Sequence, residues 1–204
     1  MAIMFAHAGT RAINDILPAL FASKARAAVV RVLLLDPCRA YYQRQVEAAT
    51  GLSIRAVQRE LDRLVSMALL YRRREGNRIY YHVDREFVVF EELRSMVLKT
   101  AEPADRLRGR LAMDGAVRLA FLAPEGERVL LVCEDGQRPE GRNEEGFAFE
   151  TVECADFVRL LSESPGQFEP CLVGGEDLLG RRDDILWRRI DEAGYNVAKR
   201  KGVA

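Results

Sequence analysis

Residues 41–83, YYQRQVEAATGLSIRAVQRELDRLVSMALLYRRREGNRIYYHV, decide how this chain is read. Tyr41-Tyr42 predicts a short strand. Gln43–Thr50 predicts a short helix with Val46 and Ala49 turned inward. Gly51 follows, free to take the positive φ that ends a helix and redirects the chain. Ser53 stands at the N-cap position of the next helix, where a hydroxyl can accept from an orphan backbone amide. That helix repeats apolar residues at Ile54, Val57, Leu61, Leu64 and Ala68, the spacing of one helical face. Leu70–Arg74 and Arg78–Val83 then read as strands joined by Glu75-Gly76-Asn77, with Ile79, Tyr81 and Val83 alternating inward.

Helix, tight turn, helix and hairpin in this order form the pattern of a winged helix-turn-helix, a module that places its second helix in the DNA major groove. The residue types suit that use. Ser53 caps the end of the helix that would point into the groove, leaving the positive dipole end near phosphate. Arg55, Arg59 and Arg63 share the exposed face, and arginine's planar fork can read guanine O6 and N7. Gln58, at the edge of that face, can read adenine. Gln43 and Arg44 open the first helix of the pair and join the expected site. The hairpin adds Arg72, Arg73, Arg74, Asn77 and Arg78 around its turn, placed to clamp the flanking backbone or enter the minor groove. Between Arg39 and Arg85 there are 10 arginines, 5 acids and no lysine. A merely solvated surface usually mixes lysine with arginine.

Working outward, Ser23 caps a helix through Ala27, Val30, Leu33 and Leu34, which Asp36-Pro37 ends. A preceding helix from Asn14 or Asp15 would hold Ile16, Leu17, Leu20 and Phe21, behind a loose arm over residues 1–10. After the hairpin, Val89, Leu93, Met96 and Val97 predict an amphipathic helix from about Arg85 to Thr100. Pro103 interrupts it, and a second helical piece carries Leu107 and Leu111. Asp114-Gly115 reads as a domain boundary. Beyond it, strands are expected at Ala116–Leu122, Arg128–Cys133, Phe147–Val152 and Pro170–Val173, and helices at Asp156–Leu161 and Ile185–Ala193. Residues 137–146 form a polar loop, and the tail from Asn196 frays. The fold class is therefore α+β. A winged helix-turn-helix spans 11–84, a helical linker or dimerisation segment 85–113, and a small α/β domain 115–195.

Composition agrees with two globular parts. The 204 residues are 49% hydrophobic, ample for packed cores. Residues 1–100 carry 16 Lys+Arg and 10 Asp+Glu, a net of +6, while residues 101–204 carry 15 and 21, a net of −6. One half suits a polyanion and the other does not. MAIMFAHAGTRA lacks the basic start and long apolar core of a secretory leader. No apolar run reaches the roughly 18 residues of a membrane helix. Cys38, Cys133, Cys154 and Cys171 include no C-x-x-C pair and are expected as reduced, buried thiols of a cytoplasmic protein.

LFASKARAAVVRVLLLDP, GLSIRAVQRELDRLVSMALL and YRRREGNRIYYHV together resemble the ArsR-like winged-helix transcriptional regulators over about residues 17–100. The resemblance implies a DNA-binding homodimer, usually a repressor, with N-terminal and post-hairpin helices at the dimer interface. Many members sense metals through cysteine or histidine on the first helix of the motif or on terminal helices. Here that helix is QRQVEAAT, and His7 and His82 are the only histidines. No metal and no cofactor are therefore expected.

AVRLAFLAPEGERVLLVCEDG is similar to the start of the small nucleotidyltransferase-like domains found fused to such winged helices. Those domains carry Gly-Ser after the first strand and Asp-x-Asp opening the second, because two carboxylates hold Mg²⁺ against nucleotide phosphates. Here Pro124-Glu125 takes the Gly-Ser place, and Glu127 and Val129 take the aspartate places. The resemblance implies a degenerate, inactive copy, and the domain is expected to sense a small effector, dimerise or recruit a protein partner. Weaker signals remain. Glu134-Asp135 and Asp183-Asp184 read as solvated pairs, and Gly174-Gly175-Glu176-Asp177 as a tight turn leading into a helix. Cys133, Cys154 and Cys171 read as core thiols rather than one convergent site, and Phe157, Trp187 and Tyr195 as core aromatics. Two other classes stay open: a nucleotidyltransferase fused to a winged helix, and a winged helix that docks on protein.

Overall fold

The computed structural model describes residues 16–140 and 146–198. The loose arm, the helix start at Asn14 or Asp15, His7, and the stretch from Lys199 onward lie outside the described residues. The described chain is mixed α+β with two small sheets, and it divides into two compact units. Of the described residues, the first holds Ile16–Leu35 and Arg39–Glu102, and the second holds Asp36–Cys38 and those from Pro103 to Ala198.

In the first unit, α1 (Ile16–Leu20) and α2 (Lys24–Leu35) lead to β1 (Tyr41–Tyr42), α3 (Gln43–Thr50) and α4 (Ile54–Ser66). β2 (Leu70–Glu75), β3 (Arg78–Val83) and α5 (Phe90–Lys99) follow. The three strands form an antiparallel sheet in the order β1-β3-β2. Local chemistry explains the boundaries. Ser23 Oγ accepts from the Arg26 amide at 3.1 Å and starts α2. Gly51 takes φ 68° and its amide closes α3 on Glu47 O at 2.8 Å. Ser53 Oγ accepts from the Ala56 amide at 3.4 Å and starts α4. Leu33, Leu34, Tyr41, Val46, Val57, Leu61, Tyr81 and Val97 fill one core.

Three expectations for this unit are corrected. Ala68 is not on the α4 face: the helix stops at Ser66, and Ala68 turns left-handed at φ 66° while Leu69 N reaches back to Leu64 O at 3.1 Å. Ile79 is not inward. Burial along β3 fades toward the hairpin tip, from 5% exposure at Val83 and Tyr81 to 46% at Ile79. The helix expected from Arg85 begins only at Phe90. Asp84 Oδ1 accepts from the Glu86 amide at 3.0 Å, a local turn that competes with helix formation.

The second unit opens with α6 (Pro103–Met113), then β4 (Val117–Leu122), β5 (Arg128–Cys133), β6 (Ala148–Glu153) and α7 (Cys154–Glu163). After a 3₁₀ turn come α8 (Glu169–Leu172), β7 (Glu176–Asp177) and α9 (Leu186–Glu192). The sheet order is β6-β5-β4-β7. β5 and β6 run parallel and the other pairs antiparallel. β4 and β5 are buried on both faces, which is why they read as unbroken apolar runs. Leu119, Phe121, Leu130 and Val132 face α7, α8 and α9. Ala120, Leu122, Val129 and Leu131 pack with Leu107 and Leu111 of α6.

The boundary therefore falls between Glu102 and Pro103, not at Asp114-Gly115. The expected linker over 85–113 is shared out, because α5 buries Phe90 and Val97 in the first core and α6 buries Leu107 and Leu111 in a core of the second unit. Pro170–Val173 is not a strand. Pro170 sits in the first turn of α8, where its missing amide costs nothing. Glu176-Asp177 opens no helix but pairs with Phe121-Leu122 as β7. The tail is anchored at least to Ala198: Val197 is buried, and Arg182 Nη2 donates to its carbonyl at 3.0 Å.

Candidate nucleic-acid interface

Helix α4 organises the candidate site. Val57, Leu61 and Leu64 hold it in the core, and this fixes which residues face outward. Arg55, Arg59 and Arg63 follow one another at helical spacing on the exposed side. Arg55 and Arg59 have no ionic or hydrogen-bond partner among the described residues, and neither does the exposed Arg44 on α3. Arg63 is different. Its guanidinium lies 3.5 Å from Glu60, a buried acid that also holds Arg26 at 3.1 Å. Ser53 spends its hydroxyl on the cap, so it serves the site by fixing the start of α4.

The hairpin arginines, expected as one clamp, are divided between two faces. Residues directly opposite across the strands share a face. Arg72 pairs with Tyr81 and Arg74 with Ile79, on the face whose root is the buried Leu70–Val83 pair. Arg73 and Arg78 pair with Tyr80 and Glu75 on the other face. Arg72 reaches back to α4 and meets Asp62 at 3.1 Å. Arg73 lies 3.3 Å from Glu75, and Arg74 Nε donates to Gly76 O at 3.4 Å. Arg78 stacks over Tyr42, 4.8 Å from the ring centroid, and Tyr42 meets Tyr80 edge-on at 5.9 Å. The hydrogen bond to Tyr80 pushes the Arg78 pKa further above its usual value.

Between α3, α4 and the hairpin runs a cleft of about 600 Å³. It brings together Gln43, Arg44, Gln58, Arg72, Asn77 and Arg78 from the expected set, while Arg55, Arg59, Arg63, Arg73 and Arg74 lie outside its lining. Gln43 Nε2 donates to Ile54 O at 3.1 Å and ties α3 to the start of α4. Sequence reasoning did not place Tyr42, Ile54, Asp62, Ile79 and Tyr81 at the site. Asp62 carried a readable signal, because it stands four residues beyond Gln58 on the same side of α4. The open basic cleft, beside a stripe of unpaired arginines, suits a polyanion that offers both phosphates and hydrogen-bonding edges.

The second unit offers less. Glu127 is exposed and Val129 fully buried. Cys133 lies on one face of the sheet, while Cys154 and Cys171 lie in the core on the other. Burial pushes the Cys154 and Cys171 thiols up, which keeps them protonated. Cys38, expected to be buried, is exposed in the turn that follows α2. The charged pairs are not merely solvated. Arg118 grips Asp184 through two bonds of 2.9 and 3.0 Å, and Asp135 Oδ1 accepts from the Ala155 amide in the first turn of α7. Among the described residues no group of three or more His, Cys, Asp and Glu side chains is placed to hold a metal. No helix among them is long and apolar enough to cross a membrane.

No family model, no curated protein and no solved structure matches this chain.

Proposed function

We propose that the first unit is a winged helix-turn-helix that binds duplex DNA, and that the chain is a homodimeric transcriptional regulator acting as a repressor. The observation that carries this reading is the group Arg44, Arg55 and Arg59: three exposed cations with no ionic or hydrogen-bond partner among the described residues, on and beside a capped helix that borders a polar cleft. In this assignment α4 is the recognition helix. Arg55, Arg59 and Gln58 read base edges, while Arg44 and the hairpin arginines hold the backbone. The second unit is assigned no catalysis. Buried Val129 stands where a metal-binding carboxylate would be needed, and the unit serves as an effector or partner module.

Titration of duplex DNA with two variants tests the assignment of faces. Arg59→Ala is expected to cost about 1–3 kcal/mol on a preferred site and to relax preference there. Arg74→Ala is expected to weaken all sequences alike and to lower the salt slope by about 1. Wild-type affinity in both variants at fixed salt would refute the assignment.

A further inference from the structure

The candidate interface contains one acid that its cations do not require. Asp62 lines the cleft together with Arg44, Gln58, Arg72 and Arg78. It stands one helical turn beyond Gln58 and is about half exposed, at 48% of its side chain. Its only ion pair among the described residues is with Arg72, across 3.1 Å from helix to hairpin. Neither group is buried enough for this pair to stabilise the fold much, since half-exposed ion pairs contribute little. Nor does Asp62 hold the helix in place, because Val57, Leu61 and Leu64 already do. A carboxylate there lowers the positive potential of a site that otherwise gathers cations.

We infer that Asp62 is a specificity-determining residue of this cleft, acting beside the base-reading Gln58; the inference rests on the duplex-DNA reading of the same site. With the cleft empty, Asp62 holds Arg72 in place. With a duplex present, a phosphate competes with Asp62 for Arg72 and is repelled by the carboxylate. That cost falls on every sequence. It is offset only where the groove presents a donor to the carboxylate, and the cytosine N4 amine is the donor an aspartate reads in the major groove. Edges that offer acceptors alone, such as guanine O6 and N7, leave the repulsion in place. Discrimination then arises from a penalty on wrong sequences as much as from attraction to the right one.

The test uses the full chain with Asp62→Asn, Asp62→Ser, Arg72→Ala and the double variant Asp62→Asn/Arg72→Ala. Each is titrated with a random duplex pool at several salt concentrations, and the bound sequences are read out. Thermal unfolding checks that the variants fold. Both Asp62 variants are expected to bind the random pool roughly three- to tenfold tighter, with a salt slope steeper by about 1 as Arg72 becomes free for phosphate. They are also expected to lose a cytosine preference at one position of the selected site. The gain in affinity should shrink in the Arg72→Ala background. Random-pool affinity and base preference that match wild type in both Asp62 variants, while Arg59→Ala still weakens binding, would overturn the role of Asp62 alone. A wild-type protein that binds no duplex at all would overturn the parent reading and this inference with it.

Discussion

Asp177 shows how one residue's environment sets a measurable property of the second unit. Its carboxylate is 1% exposed, and it accepts from Arg182 Nε at 2.9 Å and from the Gly180 amide at 2.8 Å. Arg182 in turn stacks on Trp187 at 3.5 Å. Burial raises the Asp177 pKa, and the donors pull it back only in part, so the net direction is up. A carboxyl whose pKa is higher folded than unfolded binds its proton more tightly when folded. Its contribution to stability is full below the ordinary aspartate value, near about 4, and fades as the pH rises through the folded value. Asp177→Asn is therefore expected to remove part of the decline in stability above about pH 4, read as a flatter curve of unfolding free energy against pH. An unchanged curve in the variant would show that Asp177 titrates alike in both states.

Elements carry the next set of consequences. Two backbone positions make opposite demands. Ala68 ends α4 in the left-handed region at φ 66°, where a Cβ is unfavourable, and Ala68→Gly is expected to stabilise the first unit by about 1 kcal/mol. Gly175 lets α8 and β7 approach: a Cβ there would lie 1.9 Å from Cys171 O and 2.9 Å from Leu122 O, both backbone atoms. Gly175→Ala is expected to destabilise by about 3 kcal/mol, because backbone rather than a flexible side chain has to move. Chemical denaturation of each variant measures both, and a neutral Gly175→Ala would show that β7 is not held against β4 as described. The same positions show what was legible in the sequence. The α3–α4 pair and the β4–β5 pair were readable because a cap, a turn glycine and apolar spacing agreed. Glu176-Asp177 was not, since a two-residue strand made of two acids has no periodicity and is selected by its partner strand. Pro170-Cys171-Leu172-Val173 was ambiguous because a short apolar run fits strand or helix equally. At the candidate site the arginine set was readable, but its division into paired and unpaired cations was not. That division depends on where Glu60, Asp62 and Glu75 fall once the helix and hairpin are folded.

At the scale of the molecule, the charge asymmetry of the sequence follows the division into units: the half-chain that is net positive carries the arginine stripe and the cleft, and the net-negative half carries a two-faced sheet core. A single winged helix would read too few base pairs to select one site among many, so the proposed regulator would act as two copies on a two-fold operator. The most direct measurement is footprinting of the full-length protein on a sequence selected from random duplexes, with the mass of the complex measured by ultracentrifugation. The account predicts two protected, inverted half-sites about 10 bp apart centre to centre, or a multiple of that, bound by two copies of the chain. Protection of a single isolated half-site by a monomer would contradict the dimeric operator, and no protection of any duplex would contradict the DNA-binding claim itself.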